Sequence, residues 1–214
     1  MGPAGGDPRP EPASAVLTTR FDEAVLYATL VHGGQLRKGT PIPYLSHLLA
    51  VAALVLEDRG DEHEVIAALL HDAVEDRGGR DRLEDIRARF GEQAADIVEG
   101  CSDSTLGDGE EKAPWLDRKK AYIHHLKTTK NRSVLLVSAA DKLHNARSVL
   151  ADYLDIGEEL WPRFKGGGKG TLWYYREVSA ILADRLPGSA STRQLSDTID
   201  RLESAVFERE GWRL

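Results

Sequence analysis

The octapeptide LLHDAVED, Leu69 to Asp76, sets one histidine and three carboxylates directly behind the run VIAALL. A helix that is apolar on all sides from Val65 to Leu70 runs through an interior rather than along a surface. At about 100° per residue, Ile66, Leu70 and Ala73 share one face, while His71, Asp72, Glu75 and Asp76 spread over the opposite one, which begins with the apolar Val65 and Ala68. Buried carboxylates without compensation cost several kcal/mol each, so a metal ion, a cationic ligand or internal water has to offset them. The alternative is that burial ends at Val74, leaving Glu75 and Asp76 as a solvated helix terminus. A second segment, VLLVSAADKLHNA, repeats the pattern: it is apolar around its circumference until Asp141, with Lys142, His144 and Asn145 following. One such acid is an ordinary satisfied core carboxylate. Two of them together with a histidine favour a metal site.

The elements that must position these groups are helices. Apolar residues recur every three or four positions almost throughout, and alternating β-branched stretches bounded by turn residues are nearly absent, so the expected class is all-α, a helical bundle of about nine or ten helices. The pattern predicts helices over 21–31, 47–57, 63–74, 82–90, 93–99, 115–126, 132–154, 172–186 and 193–208, the last with Ser191 or Thr192 as N-cap. SVLLVS alone could be a strand, but its apolar continuation through Ala139, Ala140 and Leu143 predicts helix. Glycine and proline in HGGQLRKGTPIPYLSH forbid a continuous helix there. FKGGGKGT is not a phosphate loop, since G-x-x-x-x-G-K-[ST] is not satisfied and no strand precedes it, and reads as a flexible connection. HEVIAALLH is not the zinc motif H-E-x-x-H, because position 67 is alanine.

Among 214 residues, 35 are acidic and 28 basic, for a formal net charge of −7. That balance disfavours broad attraction to nucleic acid, so an anionic ligand would need a local cluster of Lys and Arg. The single cysteine, Cys101, excludes an internal disulfide framework and fits a reducing compartment, the cytoplasm by default; no apolar run approaches the roughly 20 residues of a membrane span, so no membrane association is expected. The sequence carries no signal for an oligomeric state. Residues 1–14, MGPAGGDPRPEPAS, read as a disordered tail.

Four segments in order, HGGQLRKGTPIPYLSH, ALLHDAVED, RFGEQAADIVEGCSD and SAADKLHNAR, resemble the HD-domain phosphohydrolases over roughly residues 19 to 180, and specifically the hydrolase domain of the bifunctional RelA/SpoT alarmone enzymes and the stand-alone small alarmone hydrolases. The resemblance implies an HD-domain bundle over 15–187, with 188–214 a C-terminal helix packed on it or extending it and no synthetase domain following. It implies one divalent metal, usually Mn²⁺, held by His47, His71, Asp72 and Asp141. Two imidazoles and two carboxylates neutralise a 2+ ion, and octahedral Mn²⁺ would keep positions open for water and substrate. Glu75 and Asp76 match the family motif associated with the attacking water. Arg37 and Lys38 match a basic pair lining the nucleotide site, Asn145 matches an asparagine contacting the nucleotide, and Tyr174 in LWYYRE is placed near it, with Trp173 and Tyr175 as competitors. Lys112 and Arg118 could help with phosphate, but nothing in the sequence singles out either. His32 and His144 are placed as supports for ligands.

The implied activity is removal of the 3′-pyrophosphate from guanosine tetra- or pentaphosphate, giving GDP or GTP. Two alternatives stand beside it: hydrolysis of another nucleotide, such as the 2′-phosphate of NADPH, and a non-catalytic nucleotide-binding module. Two departures from the family pattern bear on the substrate. Leu48 stands where a proline commonly follows the first histidine, and GCSDS stands where bifunctional enzymes often read Gly-Val-Thr-Lys.

Overall fold

Apolar side chains three and four apart wind the chain into α1 (Thr19–Val31), α2 (Leu45–Glu57), α3 (Glu62–Leu70), the single turn α4 (Ala73–Asp76), α5 (Gly79–Cys101), α6 (Trp115–Thr128), α7 (Arg132–Ile156), α8 (Gly167–Arg185) and α9 (Ala190–Glu210), with a 3-10 turn at Gly157–Arg163. This computed structural model describes residues 16–102 and 113–212; the expected tail 1–14, Lys112 and most of the polar loop before α6 lie outside them. Among the described residues there is no strand, and no helix is long and apolar enough to cross a membrane.

Among the described residues eight helices exceed one turn, slightly below the expected nine or ten, because the helices predicted over 82–90 and 93–99 are one kinked element. The kink is at Gly91, whose φ of 84° suits a residue without Cβ. The Gly-rich segment is also not a free connection. Gly167 to Gly170 form the first turn of α8, and a Cβ at Gly166 would lie 2.5 Å from the Trp115 ring and one at Gly168 2.9 Å from the Trp161 ring. These glycines let backbone approach indole.

α3 and α7 run through the centre. Every residue from Val65 to Leu70 is wholly buried, and Val134 to Asp141 are buried in succession. α3 packs against α1, α2 and α5, while α7 packs against α2, α5, α8 and α9. Burying six side chains of α3 at roughly 1.5–3 kcal/mol for each large one gives this helix a strong hold on its position, and with it the residues that follow. α9 begins three residues earlier than the pattern predicts, with Ser189 rather than Ser191 or Thr192 as N-cap, accepting from Thr192 N–H. Asp58, at the end of α2, draws the start in by accepting from Ser189 Oγ and from the backbone N–H of Ala190 and Ser191. At the other end, Glu210 accepts from Tyr153, Trp161 and Trp212, so α9 is strapped along α7.

Candidate metal centre

His47 lies in the first turn of α2, His71 and Asp72 form the break between α3 and α4, and Asp141 stands midway along α7. The break corrects the single helix expected over 63–74, and its cause is local. A continuing helix would give the Ala68 carbonyl to the backbone N–H of Asp72, but His71 Nδ1–H donates to that oxygen at 2.8 Å. The bend turns both residues toward α2 and α7.

All four side chains converge. His47 Nε2 lies 3.5 Å from Asp72 Oδ2 and 3.3 Å from Asp141 Oδ1; His71 Nε2 lies 3.0 and 3.6 Å from the same two atoms. Neighbouring ligands of an octahedral ion with bonds of about 2.1 Å stand about 3 Å apart, which these separations approach. The ligand atoms of His47, His71 and Asp141 all lie within 4.8 Å of one another. Both Nε2 atoms are buried without a hydrogen-bond partner among the described residues. Orphaned buried nitrogens facing two carboxylates fit a divalent cation, which would satisfy both at once.

The carboxylates are gripped from outside. Asn145 Nδ2 donates to Asp141 Oδ1 and Lys142 Nζ to Asp141 Oδ2, each at 2.5 Å. The Tyr44 hydroxyl donates to Asp72 Oδ2 at 2.5 Å, its ring stacked on His32 and lying under the Arg37 guanidinium. His47 Nδ1 meets His144 Nδ1 at 2.8 Å.

These contacts set the protonation states. Burial disfavours charge on His71, but the Asp72 and Asp141 carboxylates outweigh it and raise its pKa well above the ordinary value. Positive charge is thus favoured at this point, whether a proton or a cation brings it. Burial would raise both carboxyls, yet His71 and His47 hold Asp72 well below the usual range, and Lys142 and the two imidazoles do so for Asp141. Burial and the Asp72 charge push the Tyr44 phenol up, which keeps its proton available for donation. Burial, reinforced by His47 and Arg37, lowers His144 to about 4, so that its ring is neutral at pH 7.

Glu75 and Asp76 both lie on α4. Asp76 Oδ2 accepts from Gln35 Nε2 at 2.8 Å, and Gln35 Oε1 accepts from His32 Nδ1–H at 2.9 Å. Glu75 Oε1 is 3.6 Å from Arg118 Nη1. Both groups line a cavity of about 330 Å³ that also receives Lys38, Lys119, Lys142, Asn145, Lys165 and Tyr174. A second cavity, about 440 Å³, shares Lys38, Asn145, Phe164 and Tyr175 with the first and adds Arg37, Tyr44 and Ser148. Arg37 Nη2 donates to Asn145 Oδ1 at 2.8 Å and to Ser148 Oγ at 3.3 Å, so the Asn145 amide is engaged at both ends and links Arg37 to Asp141. Tyr174 is 6% exposed, with Lys119 Nζ 4.9 Å from its ring centre, and its buried hydroxyl has no partner among the described residues.

Gln35, Tyr44 and Lys142 touch predicted site residues, and the sequence alone assigns them no role. Tyr44 stands one helical turn before His47 and Lys142 directly after Asp141, so their spacing held a usable signal. Gln35 is joined to Asp76 across 41 positions and had none.

Residues 24–156, more than half of the chain, match the model of the HD domain. The chain belongs to the HD domain family. It is 32% identical over 135 residues to the bifunctional (p)ppGpp synthase/hydrolase SpoT of Escherichia coli K12, covering 61% of this chain and 18% of that protein. It is 38% identical over 130 residues to the guanosine-3′,5′-bis(diphosphate) 3′-pyrophosphohydrolase of Aquifex aeolicus, covering 60% and 18%. The chain thus matches about 18% of the length of these relatives. Among solved structures, a metazoan ortholog of SpoT superposes with a TM-score of 0.63 at 23% identity, over 91% of this chain and 97% of that one, a likeness of fold. A Listeria monocytogenes protein superposes with a TM-score of 0.59 at 28% identity, over 72% and 96%.

Proposed function

We propose that this HD-domain protein is a metal-dependent hydrolase that removes the 3′-pyrophosphate from guanosine tetra- and pentaphosphate, with Mn²⁺ as its metal. One observation carries the reading: the cluster of the buried His47, His71 and Asp141 with the partly buried Asp72 is joined through Lys142 and Asn145 to a cavity walled by Lys38, Arg118, Lys119 and Lys165, in a chain of net charge −7. A local concentration of cations in an acidic molecule suits a polyphosphate. The curated relatives that bear the name of a guanosine 3′-pyrophosphohydrolase support the choice of base and position.

His47, His71, Asp72 and Asp141 would hold a divalent cation, which when bound would offer positive charge to a phosphoryl oxygen and make water easier to deprotonate. Glu75 and Asp76 orient the attacking water and accept its proton, and Gln35 fixes the rotamer of Asp76 by donating to Oδ2. The water oxygen bonds to the phosphorus carried by the ribose 3′-oxygen, the P–O3′ bond breaks, and a proton ends on that oxygen, leaving GDP or GTP and pyrophosphate. Arg37, Lys38, Asn145 and Tyr174 bind the nucleotide, and Arg118 and Lys142 receive phosphate charge.

The test is a panel of ppGpp, pppGpp, NADPH and GTP incubated with Mn²⁺, with released phosphate and pyrophosphate measured. Pyrophosphate from the two alarmones is expected. Phosphate from NADPH alone would replace this substrate with the 2′-phosphate, and no product from any member would point to a binding module. Glu75→Gln should retain Mn²⁺ and lose about 10²–10⁴ in kcat; normal turnover by that variant would refute the role.

A further inference from the structure

The two imidazoles of the cluster are supported differently. His71 donates from Nδ1 to a backbone carbonyl, which can only accept, so its neutral form keeps the proton on Nδ1 and offers a bare Nε2 to a cation between the carboxylates. His47 faces another imidazole, Nδ1 to Nδ1 at 2.8 Å. One proton fits between two such atoms. If it belongs to His144, a neutral His47 carries its own proton on Nε2, the atom that must be bare to hold a cation. If it belongs to His47, Nε2 is bare.

We propose that His144 is a positioning residue, which accepts a hydrogen bond from His47 Nδ1–H and thereby selects the tautomer of His47 that can bind metal. The inference rests on the metal-dependent reading above. His47 is wholly buried, so the choice is made by its protein partner rather than by bulk water. The partner is placed by the helix that supplies a ligand: His144 follows Asp141 by three residues on α7, one turn along the same face. The rings lie 4.9 Å apart between centroids and are tilted by 41°. Metal-bound histidines commonly lean on a carboxylate or a carbonyl. A neutral imidazole does the same work without a third negative charge, leaving Asp72 and Asp141 to balance a 2+ ion.

His144→Leu removes the acceptor, while His144→Asn can set Oδ1 where Nδ1 stood. Mn²⁺ affinity of the full chain, measured by calorimetry, should fall about 10–100-fold in His144→Leu and stay within about threefold in His144→Asn. After chelation all forms should melt within a few degrees of one another, which separates metal support from fold; His144→Ala serves if the leucine variant does not fold. Native-like Mn²⁺ affinity in His144→Leu, or equal losses in both variants, would overturn the assignment and leave the metal centre intact. Failure of the unaltered chain to bind Mn²⁺ would instead remove the metal reading, and this assignment with it.

Discussion

In the candidate metal cluster each of the four side chains is held by a protein partner: His144 meets His47, Ala68 holds His71, Tyr44 holds Asp72, and Lys142 and Asn145 hold the two oxygens of Asp141. Along the wall of the adjoining cavity, Lys38 and Lys165 are exposed. The difference is one of dielectric. Buried charges interact strongly and tolerate no missing partner, so the cluster had to be assembled by folding. Exposed charges on long side chains interact weakly, are screened by salt, and can shift to meet a polyanion of variable length. Substitutions in the first region should therefore act nearly all or none, and in the second by degrees.

Asp72→Ala is the strongest test of that contrast. It should abolish measurable Mn²⁺ binding and lower kcat/KM by at least about a thousandfold; retained stoichiometric Mn²⁺ in a calorimetric titration would break the comparison at its base. Lys142 belongs to both regions, since its ammonium holds Asp141 and lines the cavity. Lys142→Met should weaken Mn²⁺ binding and raise KM, each by about tenfold, and a change in KM alone would move the boundary so that Lys142 belongs to the cavity. Lys165→Ala should do least, raising KM about threefold to tenfold at low salt with Mn²⁺ affinity unchanged, and the gap should shrink at about 0.5 M salt. An effect on KM that salt leaves untouched would mean that Lys165 acts as a buried charge.

Legibility in the sequence followed the same division. Asp72 and Asp141 stood out because each interrupts a run apolar on every side, and burial makes such a break conspicuous. His47 stood out through family resemblance alone, since it begins α2 without a companion acid in its own turn. The cavity cations had no periodicity to betray them: Lys38 lies in a loop, Lys119 on α6 and Lys165 just before α8. The Gly-rich segment misled for a related reason. Its glycines serve the Trp115 and Trp161 rings, which are remote or irregularly spaced in the chain, and nothing in FKGGGKGT distinguishes a close approach from a flexible joint.

What the sequence determined by itself was the helical class, the two central helices and the residue types able to hold a divalent ion, because periodicity and burial are written at spacings of three and four. Tertiary structure decided which atoms of those residues are free to act. The Ala68 carbonyl bends the chain at His71, Tyr44 reaches Asp72 across 28 positions, and His144 reaches His47 across 97. Such pairings depend on how α2, α3 and α7 pack, and packing is a property of surfaces brought together from distant segments, so no local spacing records it.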